Sequence, residues 1–217
     1  MVITSYGLSC FKVSSGETVL AFDPPSKKSK LKSPYFQTDM VLISHAHDDH
    51  SGKDVLHGKG DESPFVIDGP GEYEHKGISV IGIPSMHDDQ GGKKYGKNTV
   101  YRVRFEDVTL MHLGDYGEEK LNDEIKKHIE GVDILFLPIG GDTVLDVSGA
   151  IKIANAIEPR IIIPMHYDAS SKKKTDAVKS FLSEMGAEDT KPDTKFTFKK
   201  KDLPIDETNI ILLEPSP

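Results

Sequence analysis

The sequence predicts an α/β fold in which two β-sheets pack face to face with helices outside. Short strand-like runs crowd the first half of the chain, and strands alternate with helical patterns in the second. A further observation locates the chemistry. The stretch Ser44-His45-Ala46-His47-Asp48-Asp49-His50 directly follows the apolar run Met40-Val41-Leu42-Ile43, so a cluster of histidines and carboxylates sits where a buried strand ends.

In chain order, residues 2–6, 10–13 and 18–22 are short runs rich in β-branched and aromatic side chains, separated by Gly7 and by the turn Ser14-Ser15-Gly16. Asp23-Pro24-Pro25 stops the third ladder, because proline cannot donate to it, and opens a loop carrying Lys27, Lys28, Lys30 and Lys32. Residues 40–43 form the next strand, and a short helix is expected over 51–56. Strand signals return at 65–67, 78–83, 99–105 and 108–111, with Gly69-Pro70-Gly71-Glu72 as a tight corner and Glu106-Asp107 as a turn.

Beyond that point the period changes. Leu121, Ile125 and Ile129 have helical spacing over 121–129, and 134–137 reads as a buried strand. Residues 147–157 form a helix with Val147, Ile151, Ala154 and Ile157 on one stripe, followed by a second buried strand at 161–165. Thr175 is the expected cap of a helix that carries Ala177, Val178, Phe181, Leu182 and Met185 and ends at Gly186. Phe196 with Phe198, then residues 210–213, read as closing strands. With no linker and no low-complexity stretch, residues 1–217 are expected to form one domain.

Apolar residues make up 36% of the chain and charged residues 29%, the balance of a soluble globular protein with a real core. No apolar run approaches the roughly 20 residues that span a bilayer, and the N-terminal stretch has no signal-peptide character, so a cytoplasmic location is expected. The lone Cys10 cannot form an internal disulfide and reads as a small core residue rather than a nucleophile. A net charge of -8 argues against broad nucleic-acid binding.

The spacing inside the cluster carries the chemistry. Histidines at i and i+2 point to one side only in extended or strand-end backbone. His45 and His47 can therefore converge on one ion, while Asp49 and His50 turn to face a second. Imidazole and carboxylate donors suit zinc, manganese and iron. The other strand ends extend the set: His87 follows 78–83, Asp115 follows the strand ending near His112, and His166 follows 161–165. Together these seven residues suffice for two metals.

The motifs His45-Ala46-His47-Asp48-Asp49-His50, His87-Asp88-Asp89, His112-Leu113-Gly114-Asp115 and Pro164-Met165-His166-Tyr167 resemble those of metallo-β-lactamase-fold hydrolases, in particular the branch containing the L-ascorbate 6-phosphate lactonase. The resemblance runs from Gly7-Leu8-Ser9-Cys10 to Arg160 and His166. It implies a four-layer αβ/βα sandwich of two mixed sheets and two divalent ions, Zn2+ first, with Mn2+ or Fe2+ as alternatives. It further implies that His45, His47 and His87 hold one ion, Asp49, His50 and His166 the other, and that Asp115 bridges them. His112 falls at a position that packs or supports the ligands, and His57, His75 and His128 are ordinary loop residues. Leu8 departs from the pattern, since relatives often carry histidine there.

Two divalent cations against two carboxylates leave a net positive site, which lowers the pKa of a bridging water toward roughly 7 and makes hydroxide available for attack on carbonyl carbon or phosphorus. Tyr167 and Asn98 are expected either to donate hydrogen bonds to the substrate or to serve the fold. Lys93, Lys94 and Lys97, with the lysines at 27–32 and 172–174, suggest a positive rim and a small anionic substrate. The leading reading is thus a dinuclear hydrolase of lactonase or phosphodiesterase type. A nuclease would need a basic groove or an added domain, and a redox metal protein would normally bring a flavin domain. No spare apolar strand face points to an oligomer.

Overall fold

The structure, a computed structural model, describes residues 1–167 and 172–216, with side chains described outside 172–175. The first sheet contains β1 (Val2–Ser5), β2 (Phe11–Ser15), β3 (Thr18–Phe22), β4 (Met40–Leu42), β5 (Phe65–Ile67) and β12 (Phe196–Thr197), in the order β12-β1-β2-β3-β4-β5. The second contains β6 (Gly71–His75), β7 (Ile78–Met86), β8 (Lys97–Phe105), β9 (Val108–His112), β10 (Ile134–Pro138), β11 (Ile161–Met165) and β13 (Asn209–Ile210), in the order β13-β11-β10-β9-β8-β7-β6. Both sheets are mixed. The two closing runs part company: β12 pairs with β1, and β13 with β11.

Alternation along the strands explains the layers. Ile134 and Phe136 of β10, like Ile161, Ile163 and Met165 of β11, face the core between the sheets. Leu135, Leu137 and Ile162 point the other way, onto the apolar faces of α2 (Val147–Ile157) and α3 (Lys172–Glu184), which contribute Ala150, Ile153, Ala154, Phe181 and Leu182. A strand buried on both faces must be apolar at every position, which is why β10 and β11 read as continuous runs. Across the middle, Phe22 of β3 lies 5.5 Å from Phe136 and stacks on His112 at 4.6 Å.

Several expected elements differ. The segment 51–56 is a series of turns, not a helix. Gly52 gives its N–H to the Pro24 carbonyl at 2.7 Å and packs where a Cβ would strike the Pro25 carbonyl. Val55 and Leu56 then bury on the outer face of the first sheet, which no described helix covers. The helix expected over 121–129 is the single turn α1 (Asp123–Lys126), capped by Asn122, after which the His128 N–H bonds back to Ile125 in a tighter turn. The corner at 69–72 opens a strand, β6, whose exposed Glu72 and Glu74 alternate on a sheet edge and hide its apolar side. Helix α3 starts three residues before Thr175, so Thr175 is not its cap. The side chains of Lys172, Lys173 and Lys174 lie outside the described residues.

Strand direction assembles the site. β3 and β4 are parallel, as are β9, β10 and β11, while β7 and β9 both run antiparallel to β8 and so share a direction. The carboxyl ends of β3, β4, β7, β9 and β11 carry Asp23, Ser44 to His50, His87, Asp115 and His166. The sheets are stitched together beside them: the Tyr101 hydroxyl donates to the Ile43 carbonyl at 2.7 Å, and the Thr99 N–H to the Ser44 carbonyl at 2.8 Å.

Asp39, just before β4, ties the two sheets at another point. Its carboxylate accepts the Val19 N–H at 2.8 Å and lies 2.8 Å from Lys76 Nζ and 3.4 Å from Lys59 Nζ. Burial pushes its carboxyl up, but the Lys76 hydrogen bond, the Val19 amide and the Lys59 charge outweigh that and hold it below its ordinary value. A carboxyl lowered by folding adds stability above its unfolded pKa of about 3.9 and loses it as pH falls through the folded value. Asp39→Ala is expected to cost about 1.5–3 kcal/mol at neutral pH. Denaturant unfolding should show that difference shrinking on acidification; a pH-independent difference would reject the ionic role.

Candidate metal centre

The site is built around one carboxylate oxygen. Asp115 Oδ2 lies 2.9 Å from His166 Nε2, 3.0 Å from His87 Nε2, 3.4 Å from His50 Nε2 and 3.7 Å from His45 Nε2. All five side chains are buried. Three groups emerge, His45 with His47 and His87, His50 with Asp115 and His166, and Asp23 with His45 and His50, and within each the ligand atoms fall within 4.8 Å of one another. Asp49 stands at the rim, half-exposed, with Oδ1 3.9 Å from His50 Nε2. His47 is exposed, its ring 4.6 Å from that of His45.

The residues fit a cation. His45 Nε2 and His50 Nε2 are buried with no hydrogen-bond partner, a costly state for a polar atom unless something else satisfies its lone pair. Burial and the neighbouring His50 charge push His45 down to about 3, so it stays an unprotonated donor. Burial opposes charge on His50 too, but Asp115 and Asp23 outweigh it and hold His50 up at about 9, which marks its surroundings as favourable to positive charge. At Asp115 burial opposes ionisation, and the His50 and His166 charges outweigh it, keeping the carboxyl well below the usual range.

Sequence reasoning missed the residue that orients two of these rings. Asp23, read only as the stop of β3, is buried in the left-handed region at φ 42°. It accepts the Ser44 N–H at 2.6 Å, the Ser44 hydroxyl at 2.6 Å and His50 Nδ1–H at 3.1 Å. With its proton committed to Asp23, Ser44 Oγ accepts Nδ1–H of His45 at 2.9 Å. Both imidazoles thereby have Nδ1–H engaged and turn Nε2 toward Asp115, where a cation would take the place of a proton. Applying the strand-end rule to β3 as it was applied to β7 would have found Asp23. His112, as expected, supports rather than ligates: its ring nitrogens contact the Ser9 carbonyl and the Gly114 N–H, both at 3.1 Å.

Asn98 takes the second of its two expected roles. Both hydrogens of its amide are spent, on Ser85 Oγ and the Leu113 carbonyl at 2.8 Å each, and its oxygen accepts the Asp115 N–H at 3.1 Å. It is a buried brace that holds Asp115 in place, not a donor to substrate. Tyr167 is half-buried against the apolar cluster under α2 and α3, and burial pushes its hydroxyl pKa up. Leu8, at φ 49°, contributes its carbonyl, which accepts the His166 N–H at 3.0 Å. The thiol of Cys10 is buried and pushed well up by burial and the Asp23 charge, consistent with a core residue.

Asp88, next to His87, gathers a loop. Its carboxylate accepts the N–H groups of Gln90, Gly92, Lys94 and Tyr95 at 2.7–2.9 Å, and these amides, the Tyr95 one above all, hold it down at about 2. The knot sets the Tyr95 ring 5.2 Å from that of His87 and Lys94 Nζ 4.5 Å from the Tyr95 centroid. Lys94 and Lys152 line a cleft of about 320 Å³ beside His87, together with Asp89 and Glu119. Lys93 and Lys97 are exposed at either side of Lys94.

Fold and donor set define the class, a metal-dependent hydrolase of the metallo-β-lactamase superfamily. The chain belongs to the beta-lactamase superfamily domain family, whose model matches residues 2–166. It is 29% identical over 183 residues to the UPF0173 metal-dependent hydrolase Ta0764 of Thermoplasma acidophilum, covering 75% of this chain and 81% of that protein. Among solved structures it is similar to a proposed Zn-dependent hydrolase of the metallo-β-lactamase superfamily from Thermotoga maritima, with 25% identity, a TM-score of 0.77 and coverage of 98% of this chain and 99% of that one. A metallo hydrolase from Ignicoccus hospitalis shares the fold at 22% identity and a TM-score of 0.62, covering 91% of this chain and 99% of that one. No helix among the described residues is long and apolar enough to cross a membrane.

Proposed function

We propose that this chain is a dinuclear metal-dependent hydrolase of a small anionic ester, lactone or phosphodiester. The observation that carries the reading is the convergence of four imidazole Nε2 atoms, from three separate segments, within 3.7 Å of Asp115 Oδ2. His45, His47 and His87 would hold one ion and Asp49, His50 and His166 the other, with Asp115 between them. Zn2+ suits imidazole and carboxylate donors first, with Mn2+ or Fe2+ as alternatives. Divalent ions there supply Lewis acidity, which polarises an ester or phosphoryl oxygen and makes hydroxide available at neutral pH.

The chain's own residues do the rest. Asp23 and Ser44 keep two imidazoles in the donor tautomer, and Asn98 fixes the Asp115 loop. Lys94 and Lys152, in the cleft beside His87, attract the anionic end of the substrate. Asp88 stays ionised in the same cleft, its charge partly offset by the four amides that surround the carboxylate. Tyr167, following His166, would either donate its hydroxyl to the substrate or serve the fold through its packing under α2 and α3. The cleft volume of about 320 Å³ favours a small molecule over a polymer.

Metal analysis of the purified protein, followed by a panel of lactones, phosphodiesters and single-stranded RNA, tests the reading. The expected result is two divalent ions per chain and turnover of a small ester or lactone, lost on chelation and restored by metal. Turnover confined to RNA would replace it with a nuclease, and a fully loaded protein inert toward every ester class would overturn it. Lys94→Glu should raise KM for an anionic substrate with little change in kcat; an unchanged KM would remove the cationic rim from the model of substrate binding.

A further inference from the structure

This chain has 24 lysines but only three arginines, and two of the three, Arg102 and Arg104, stand two residues apart on β8. Tyr101, Val103 and Phe105 of that strand face the core between the sheets, so Arg102 and Arg104 share its outer face. Val100, one step earlier on the same face, lies in the apolar cluster under the helices. From Arg102 onward the face opens into a cleft that both arginines line, and α1, which packs on the neighbouring β7, is a single turn. Arg104 sits opposite Thr109 on β9, and the two arginines join Lys127, His128 and Lys200, with Asp107 and Glu130 as the acidic members, around a cleft of about 490 Å³.

The hydrogen bonding of these groups is unequal. Lys127 is held by Glu124 at 2.7 Å and Lys200 by Asp133 at 3.3 Å, while the third arginine, Arg160, rests on Asp133 at 3.4 Å. Arg102 spends one Nη2 donor on the Glu130 carbonyl at 3.3 Å, and its buried Nε–H has no partner. Arg104 has no hydrogen bond or ion pair among the described residues. Two guanidinium forks with donors to spare thus flank one cleft, in a chain that uses lysine for nearly all its other positive charge. Lysine serves as a point charge, whereas a planar guanidinium matches two oxygens of one phosphate at once.

We propose that this cleft is a second binding site, specific for a phosphate group, carried by a small molecule or present as inorganic phosphate. It is separate from the metal centre. Arg104 lies six residues along β8 from Asn98, the brace of Asp115, so the two sites are about 20 Å apart at the rise of an extended strand. The proposal does not depend on which ester the metal centre hydrolyses.

Arginine side chains give a direct readout, because the full, metal-loaded chain has only three Nε–H signals. Titration of arginine-labelled protein with inorganic phosphate, and in parallel with glycerol phosphate, should shift the Arg102 and Arg104 signals saturably and leave Arg160 in place. Arg104→Ala, an exposed and structurally undemanding change, should weaken the Arg102 response at least tenfold. Tighter binding of glycerol phosphate would identify a phosphorylated small molecule as the ligand, and tighter binding of inorganic phosphate the free anion. Equal shifts in chloride of matched ionic strength, or a uniform shift of all three signals, would overturn the proposal. So would a response to a single-stranded oligonucleotide alone, which would mark the face as a nucleic-acid surface.

Discussion

Asp115→Ala is expected to abolish turnover and to reduce the bound metal below two ions per chain, while the two-sheet fold persists. The carboxylate lies within 3.7 Å of the Nε2 atoms of all four imidazoles, so its loss removes the anion that the four buried donors share. The fold should survive because the strands pack without it: Asn98 still braces the loop through its bonds to Ser85 and Leu113, and the core between the sheets does not include position 115. A fall in kcat/KM of at least about 100-fold is expected, the scale on which loss of one preorganised electrostatic group is felt. Elemental analysis after dialysis, kinetics on the best substrate of the panel and far-UV circular dichroism check the three parts. Two retained ions with undiminished turnover would sink the assignment of Asp115 as the shared ligand.

Asp23→Asn should weaken metal binding by about 10–100-fold, the usual consequence of losing a partner that orients a ligand. Asparagine is the informative replacement because it tolerates the positive φ of 42° that this position adopts, whereas alanine would add backbone strain to the effect. An amide cannot accept at both oxygens as the carboxylate does. Its NH2 would face either the Ser44 donors or His50 Nδ1–H, and the ring that loses its acceptor is free to change tautomer or turn. Affinity measured by competition with a chelator should therefore fall while the melting temperature of the metal-free protein changes little. Unchanged affinity would show that the imidazoles hold their orientation without Asp23.

The donor residues were legible in the sequence because metal ligation uses few side-chain types, and strand ends are easy to find. His45, His47, His50, His87, Asp115 and His166 each follow an apolar run, and the structure brings all six together. Asp49 was placed with them by spacing, yet its half-exposed side chain reaches only the edge of the group. Asp23 and Asn98 show what the same reasoning could not see. One looked like a ladder stop and proved to orient two imidazoles; the other stood open between substrate and fold, and its amide hydrogens prove to be spent within the fold. Which partner a polar side chain finds depends on segments remote in sequence, such as Ser44 for Asp23 and Leu113 for Asn98.

The fold divides in the same way. Periodicity located the strands at 18–22, 65–67 and 161–165 and the helix over 147–157, since burial on one or both faces writes itself into the residues directly. It misjudged 51–56, where helical propensity yielded to the contact of Gly52 with the Pro24-Pro25 loop, and it missed β6, a polar edge strand stabilised by its neighbour β7. By itself the sequence determined the two-sheet core and the chemical kind of the site, because both rest on local patterns of apolar and metal-binding side chains. Only the tertiary structure decided that five strands end at one edge, that one carboxylate stands among four imidazoles, and that the outer face of β8 carries two arginines without an ion pair among the described residues. Those facts depend on strand direction and register, which are set by contacts between residues far apart along the chain.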